Sequence, residues 1–137
     1  MVMAGYSGTP LPAKLGIKPG ARIFAFDAPK TYPALISPLP LNAALVSKLD
    51  DTVDILHVFV SNKADLSQFL KTVPGKMRAD AALWVSWPKK AAGVPTDVTE
   101  NTIREVALPL GFVDIKVCAV DETWSALKLV IRKANRR

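Results

Sequence analysis

The sequence predicts a three-layer α/β sandwich of five to six strands, mostly parallel, with an antiparallel C-terminal strand. Three observations predict it. Residues 53–60 and 80–87 are nearly continuous runs of β-branched, aromatic and aliphatic side chains, as strands covered on both faces should be. Segments with helical apolar spacing alternate with the strands, which implies a parallel sheet with helices on its faces. The last two apolar runs, 112–120 and 125–132, are joined only by Asp121-Glu122-Thr123-Trp124, a link short enough to require an antiparallel hairpin.

The elements follow in order. Residues 1–20 are an N-terminal arm, in which Ala13 to Gly16 make at most one helical turn and Pro19-Gly20 is a turn. ARIFAFD at 21–27 is the first strand, with Ile23, Phe24 and Phe26 as its apolar residues and Pro29 ending it. Pro33, Pro38 and Pro40 prevent a long helix over 30–40. Ala43 to Leu49 read as a short second strand, VDILHVFV at 53–60 as the third, and DAALWVSW at 80–87 as the fourth, ended by Pro88. Asn62 to Leu70 form a helix with Ala64, Leu66, Phe69 and Leu70 on its apolar side. After a loop at 89–96, Asp97 reads as an N-cap, with Glu100 at capping-box spacing. Ile103, Val106, Ala107 and Leu110 then recur at i, i+3, i+4, i+7, and Gly111 stops that helix.

The 137 residues suit one domain, 1–137, that buries roughly 68% of its unfolded surface. With 50% hydrophobic and 22% charged residues, the composition is globular. A single Cys, Cys118, and a single His, His57, exclude an intrachain disulfide and a Cys/His zinc centre, so no metal is expected. No apolar run nears the ~18 residues that span a bilayer, and the N-terminus lacks a signal pattern. The expected compartment is the cytoplasm, with no membrane partner. Net charge is +6, but Lys128, Arg132, Lys133, Arg136 and Arg137 form a basic C-terminal end at 128–137. Removing these five of the 18 basic residues leaves 13 against 12 acidic ones. Nucleic acid is therefore not the expected partner.

The phrase GFVDIKVCAVDETWSALKLVIRK, preceded by LPLGF at 108–112, resembles the C-terminal part of a class I S-adenosylmethionine-dependent methyltransferase, a Rossmann-like fold. In those enzymes a parallel strand also turns through a hairpin into a final antiparallel strand. Residues 4–20, 83–111 and 113–133, with the string WPKK…PTD…REVALPLGFVD…DETWS, are similar to a bacterial family of small proteins with a domain of unknown function. That resemblance implies no reaction. The methyltransferase pattern also sets a glycine-rich turn after the first strand, where backbone approaches the cofactor. Here Asp27-Ala28-Pro29-Lys30 stands in that place. The missing glycines and the missing Pro29 N–H disfavour S-adenosylmethionine.

In open parallel sheets, ligands bind beyond the carboxyl ends of the strands. The candidate rim then comprises Asp27 and Lys30 after the first strand, Asn62 after the third, and Trp87, Lys89 and Lys90 after the fourth. Asp97 joins them near a helix start, where free N–H groups with Lys89 and Lys90 would suit an anion. Asp121, Glu122 and Trp124 form the hairpin turn, two carboxylates beside an aromatic platform. His57 and Cys118, inside strands, read as buried core residues. The leading expectation is a small-molecule-binding or regulatory module, derived from a methyltransferase-like fold, whose partner is an anionic small molecule or a protein. The alternatives are an enzyme using Asp27, Lys89, Lys90, Asp121 and Glu122 at the rim, and a nucleic-acid-associated protein relying on the basic end. Oligomeric state is not legible.

Overall fold

The structure is a computed structural model that describes residues 8–136. The first seven residues of the expected arm and Arg137 of the basic end lie outside the described residues. Six strands form one sheet: β1 (Arg22–Phe26), β2 (Ala44–Val46), β3 (Ile55–Phe59), β4 (Ala82–Pro88), β5 (Phe112–Ala119) and β6 (Trp124–Ile131). Their order is β2-β1-β3-β4-β6-β5. The pairs among β2, β1, β3 and β4 are parallel, whereas β6 runs antiparallel to both β4 and β5. The final strand thus inserts beside β4 and leaves β5 at the edge. The helices are α1 (Leu11–Lys14), α2 (Tyr32–Leu35), α3 (Lys63–Thr72) and α4 (Glu100–Ala107).

Each central strand divides its side chains between two cores. Leu56 and Val58 of β3, Leu83, Val85 and Trp87 of β4, and Leu127 and Leu129 of β6 pack under α3 and α4, against Leu66, Leu70 and Ile103. Ile55 and Phe59, Trp84, and Ala126 face the other side, where Leu11, Leu15, Ile17, Tyr32 and Ile36 cover them. Among the described residues, that second face is covered by two single-turn helices and irregular chain. The prolines expected to break residues 30–40 leave only α2 there. The indole Nε1 of Trp84 donates to Leu15 O at 3.2 Å, fastening this cover to the sheet.

Several boundaries differ from the sequence expectation. The second strand is three residues rather than seven, because only Arg22 to Phe24 of β1 pair with it. The helix expected over 62–70 begins one residue later, with Asn62 as its cap, and runs to Thr72. The last strand stops at Ile131, so the basic end lies mostly beyond the sheet. Gly111 does end the α4 region: its φ is +96°, and a Cβ there would meet Asn135 Nδ2 at 2.7 Å. A bulge between Asp114 and Lys116 interrupts the β5–β6 ladder.

His57 is buried, as expected, and joins a polar chain across the second core. Its Nδ1 lies 2.8 Å from Tyr32 Oη and its Nε2 2.6 Å from Ser86 Oγ. All three residues are buried, and none has an unsatisfied buried side-chain atom. Since only one ring nitrogen of neutral imidazole carries a proton, one hydroxyl donates to the ring and the other accepts from it. Burial lowers the His57 pKa to about 3, so the ring is neutral in the fold, and burial raises that of Tyr32.

Two outcomes follow for stability. The unfolded chain protonates His57 near pH 6.5, and the folded chain resists protonation down to about 3. Between these values the unfolded state binds the extra proton, so stability is full above about 6.5 and falls as pH drops, by up to about 1.4 kcal/mol per unit. Chemical denaturation between pH 7 and 4.5 should show this slope, and His57→Gln should flatten it. His57→Phe strands two buried hydroxyls and should cost about 2–4 kcal/mol at pH 7.

Candidate functional site

The candidate rim residues all lie at or beyond the carboxyl ends of the parallel strands, but their side chains have different fates. Asn62 caps α3, its Oδ1 accepting from Asp65 N at 2.8 Å. Asp97 was expected to cap α4 and does not. Its Oδ1 accepts from Lys63 N at 2.7 Å, so it caps the neighbouring helix α3. Thr99 caps α4 instead, in a reciprocal box with Thr102. Thr96 completes the clasp, donating from Oγ1 to Ser61 O at 2.6 Å. Asp121 spends Oδ1 on the N–H groups of Thr123 and Trp124, both at 2.8 Å, holding the hairpin turn.

The two tryptophans lie on opposite faces. Trp87 is buried in the core under α4, in line with Leu83 and Val85. Trp124 is half-buried against the other core, its ring edge-on to Phe59 with centroids 5.0 Å apart. Lys89 and the hairpin turn do meet, since Lys89 N–H donates to Thr123 O at 2.7 Å. Lys90 and Glu122 are exposed at the same end of the β4–β6 pair. Asp27 and Lys30 stand apart from them. Strand β3 separates β1 from β4, which places Asp27 about 10 Å across the sheet from the β4 end and further from β6. Lys89, Lys90, Asp121 and Glu122 therefore share one end of the β4–β6 pair, with Asp27 two strands away along the same rim.

A groove lies at the other half of the rim. The link between β2 and β3, residues 47–54, contains no helix. Among the described residues, Leu49, α3 and the turn that follows it cover the β1–β2 side of the sheet on that face. A cavity of about 470 Å³ results, lined by Phe24, Phe26, Val58, Val60 and Phe69 with Asp27, Asp65, Gln68, Thr72 and Lys76 among its polar groups. The volume lies within the range of small-molecule sites. Phe26 and Phe69 stack at 5.7 Å between centroids, and Phe26 remains 44% exposed. Asp27 ends β1 with φ +57°, in the left-handed region.

Asp65, Gln68, Phe69 and Lys76 were not anticipated from sequence. Phe69 was assigned only to a helical apolar side, and its meeting with Phe26 depends on the crossover geometry. The positive φ at Asp27 had a faint signal, because Asp is enriched there among non-glycine residues.

The model of a family described as a protein of unknown function (DUF3052) matches residues 40–133. The chain belongs to this DUF3052 family. No curated protein matches it. Among solved structures, a SAM-dependent methyltransferase from Aquifex aeolicus is similar at TM-score 0.61 and 13% identity, over 88% of this chain and 88% of that one. The fibrillarin pre-rRNA processing protein of Methanococcus jannaschii is similar at TM-score 0.59 and 12% identity, over 94% of this chain and 72% of that one. Aeropyrum pernix fibrillarin, with natively bound S-adenosyl-L-methionine, is similar at 0.56 and 14%, over 92% and 70%. These likenesses show that the DUF3052 chain has a methyltransferase-like Rossmann fold.

They also correct one expectation. S-adenosylmethionine was disfavoured because the turn after β1 lacks glycine, yet the similar Aeropyrum pernix fibrillarin holds that cofactor natively and the similar Aquifex aeolicus enzyme depends on it. The physical reason lies in the turn itself. Asp27 supplies a left-handed residue at the end of β1, so the missing glycine does not by itself bar the ligand. The groove also fits the compound's chemistry: ring faces suit an adenine, and carboxylates suit a sulfonium and an ammonium.

Removing either clasp should loosen this end of the sheet. Asp97→Ala leaves the Asn62 cap in place but removes the acceptor of the Lys63 N–H in the first turn of α3 and should cost about 1 kcal/mol, and Thr99→Ala uncaps α4 and should cost about 0.5–2 kcal/mol. Amide exchange would separate them, with protection lost in the first turn of α3 in one variant and of α4 in the other.

Proposed function

We propose that this chain is a small-molecule-binding module, regulatory in character, and that its groove between β1 and α3 takes an S-adenosyl compound. One observation carries the reading. The groove opens at the carboxyl end of β1, with a stacked Phe26–Phe69 pair, Asp27 at its rim and Asp65 on the facing helix. Ligands of open α/β sheets bind beyond the carboxyl ends of the strands.

The chain's own residues divide the task by chemistry. The exposed ring surface of Phe26 offers a stacking platform for a purine, worth about 1–3 kcal/mol per base by analogy with other base–aromatic contacts. Asp27 and Asp65 provide negative charge for a cationic tail. One oxygen of Asp65 already accepts from Asn62 Nδ2 at 2.9 Å, which fixes that carboxylate's orientation and leaves the other oxygen for a ligand. Lys76, beyond the C-terminal end of α3, lines the opposite end of the groove. Gln68 adds a side-chain amide that donates and accepts. When bound, S-adenosylmethionine supplies an electrophilic methyl group.

Titration calorimetry with S-adenosylmethionine and S-adenosylhomocysteine tests the proposal. A dissociation constant in the micromolar range is expected for at least one of them. Asp27→Gly should separate binding from folding. It relieves the left-handed backbone cost and should leave stability unchanged or raise it by up to about 1 kcal/mol. It should also weaken binding about tenfold or more through the lost carboxylate. No heat of binding for either compound, or an unchanged constant in Asp27→Gly, would overturn the assignment.

A further inference from the structure

Lys116 of β5 and Lys128 of β6 are direct partners in the antiparallel ladder. Their side chains therefore leave the same face of the sheet, with Cβ atoms about 4.5–5.5 Å apart, and like charges so placed destabilise a strand pair. Neither lysine pairs with a carboxylate among the described residues. The arrangement depends on the bulge. Asp114 faces Leu129, so an unbroken register would set Ile115 opposite Lys128. The extra residue moves Ile115 out, where it is 52% exposed, and brings Lys116 opposite Lys128 instead. Bulges commonly re-aim a side chain in this way.

A third cation reaches the same face. Lys14, at the end of α1, donates from Nζ to Ala119 O at 3.3 Å. A cleft of about 470 Å³ between α1 and β5 is lined by Thr9, Lys14, Lys116 and Cys118. The charges of Lys14 and Lys116 act on the Cys118 thiol there, although burial outweighs them and raises its pKa. Lys128 is half-buried, and its pKa is lowered first by burial and then by Lys116. Lys128 lines not this cleft but its neighbour, which Asp54 and Asp80 also line, their carboxylates both held by Arg78.

We propose that Lys116 and Lys128, flanked by Lys14, form a binding site for a phosphate-type dianion carried by a small molecule whose remainder lies in the adjoining cleft between α1 and β5, which Lys14 and Lys116 line. A dianion between two adjacent ammonium groups cancels the repulsion that the bulge creates, which a monoanion does only in part. The site is compact and lies on the face opposite α3, so it is separate from the groove beside β1. Nucleic acid is the poorer match, because a phosphate backbone needs a basic track. Of the nearby basic end, Arg136 turns back to donate to Ile131 O at 2.9 Å.

Thermal unfolding of the full chain in inorganic phosphate, against sodium chloride at equal ionic strength, tests the site. The wild type should show a saturable rise in Tm with phosphate beyond that with chloride, and a phosphomonoester such as glycerol phosphate should reproduce it. Without phosphate, Lys116→Gln and Lys128→Gln should unfold at the wild-type temperature or above it. Both should bind phosphate at least tenfold more weakly, whereas Lys133→Gln should bind as the wild type does. Should Lys128→Gln fold poorly, Lys128→Arg keeps the charge and should keep the response. In the wild type, phosphate should shift the amide resonances of Lys116, Cys118 and Lys128. A phosphate effect no greater than that of chloride would overturn the proposal. So would an unchanged response in Lys116→Gln, resonance shifts confined to other residues, or binding of duplex DNA without binding of phosphate.

Discussion

Strand β3 sets the constraint on which the rest depends. All five of its residues are buried, and they point alternately into two cores. A strand of this kind has to be covered on both faces. The chain meets the requirement unequally. One face receives α3 and α4 and closes over aliphatic side chains and Trp87. The other receives single helical turns and irregular chain, and there the strand carries its one polar residue, His57. Burying an imidazole without partners would cost several kcal/mol. Tyr32 and Ser86 remove that cost, and in doing so they tie the weaker cover to β3 and β4.

The same unequal cover explains where concave surface lies. Between β2 and β3 the chain crosses β1 in eight residues without a helix, and the sheet beside α3 is left partly open. Aromatic rings that would otherwise be core line a groove. At the far side of the sheet, α1 is too short to reach across β5, and a second cleft forms over lysines. Both hollows arise from missing cover rather than from specialised loops, which is consistent with a six-stranded version of a fold whose other members share little sequence with it.

The fold was legible because its strongest signals are local. Apolar runs marked β3 and β4, and a four-residue link forced the hairpin. The caps show where local signals run out. Asp97 and Glu100 have the spacing of a capping box, and Thr99 and Thr102 have it too. The choice between them was made by α3, whose Lys63 N–H claims Asp97. The site was legible only as a rim. Asp27 was identified, but the ring that faces it comes from Phe69, on an element that follows two crossovers. The Lys116–Lys128 pairing was invisible because counting along an antiparallel ladder fails when one strand holds an extra residue. Asp121 and Asn62, sound candidates by residue type, each commit a side-chain oxygen to the backbone of the turn or helix start that they make.

The placement of the three tryptophans has an experimental consequence. Trp84 is fully buried in one core, Trp87 is nearly so in the other, and Trp124 sits half-buried at the margin of the first. The molecule therefore carries an intrinsic fluorophore on each side of its sheet. Single-tryptophan forms would report the two layers separately. Coincident emission changes during denaturation would mean that the thin, irregular layer and the helical layer melt as one cooperative unit, and staggered changes would identify the side that opens first.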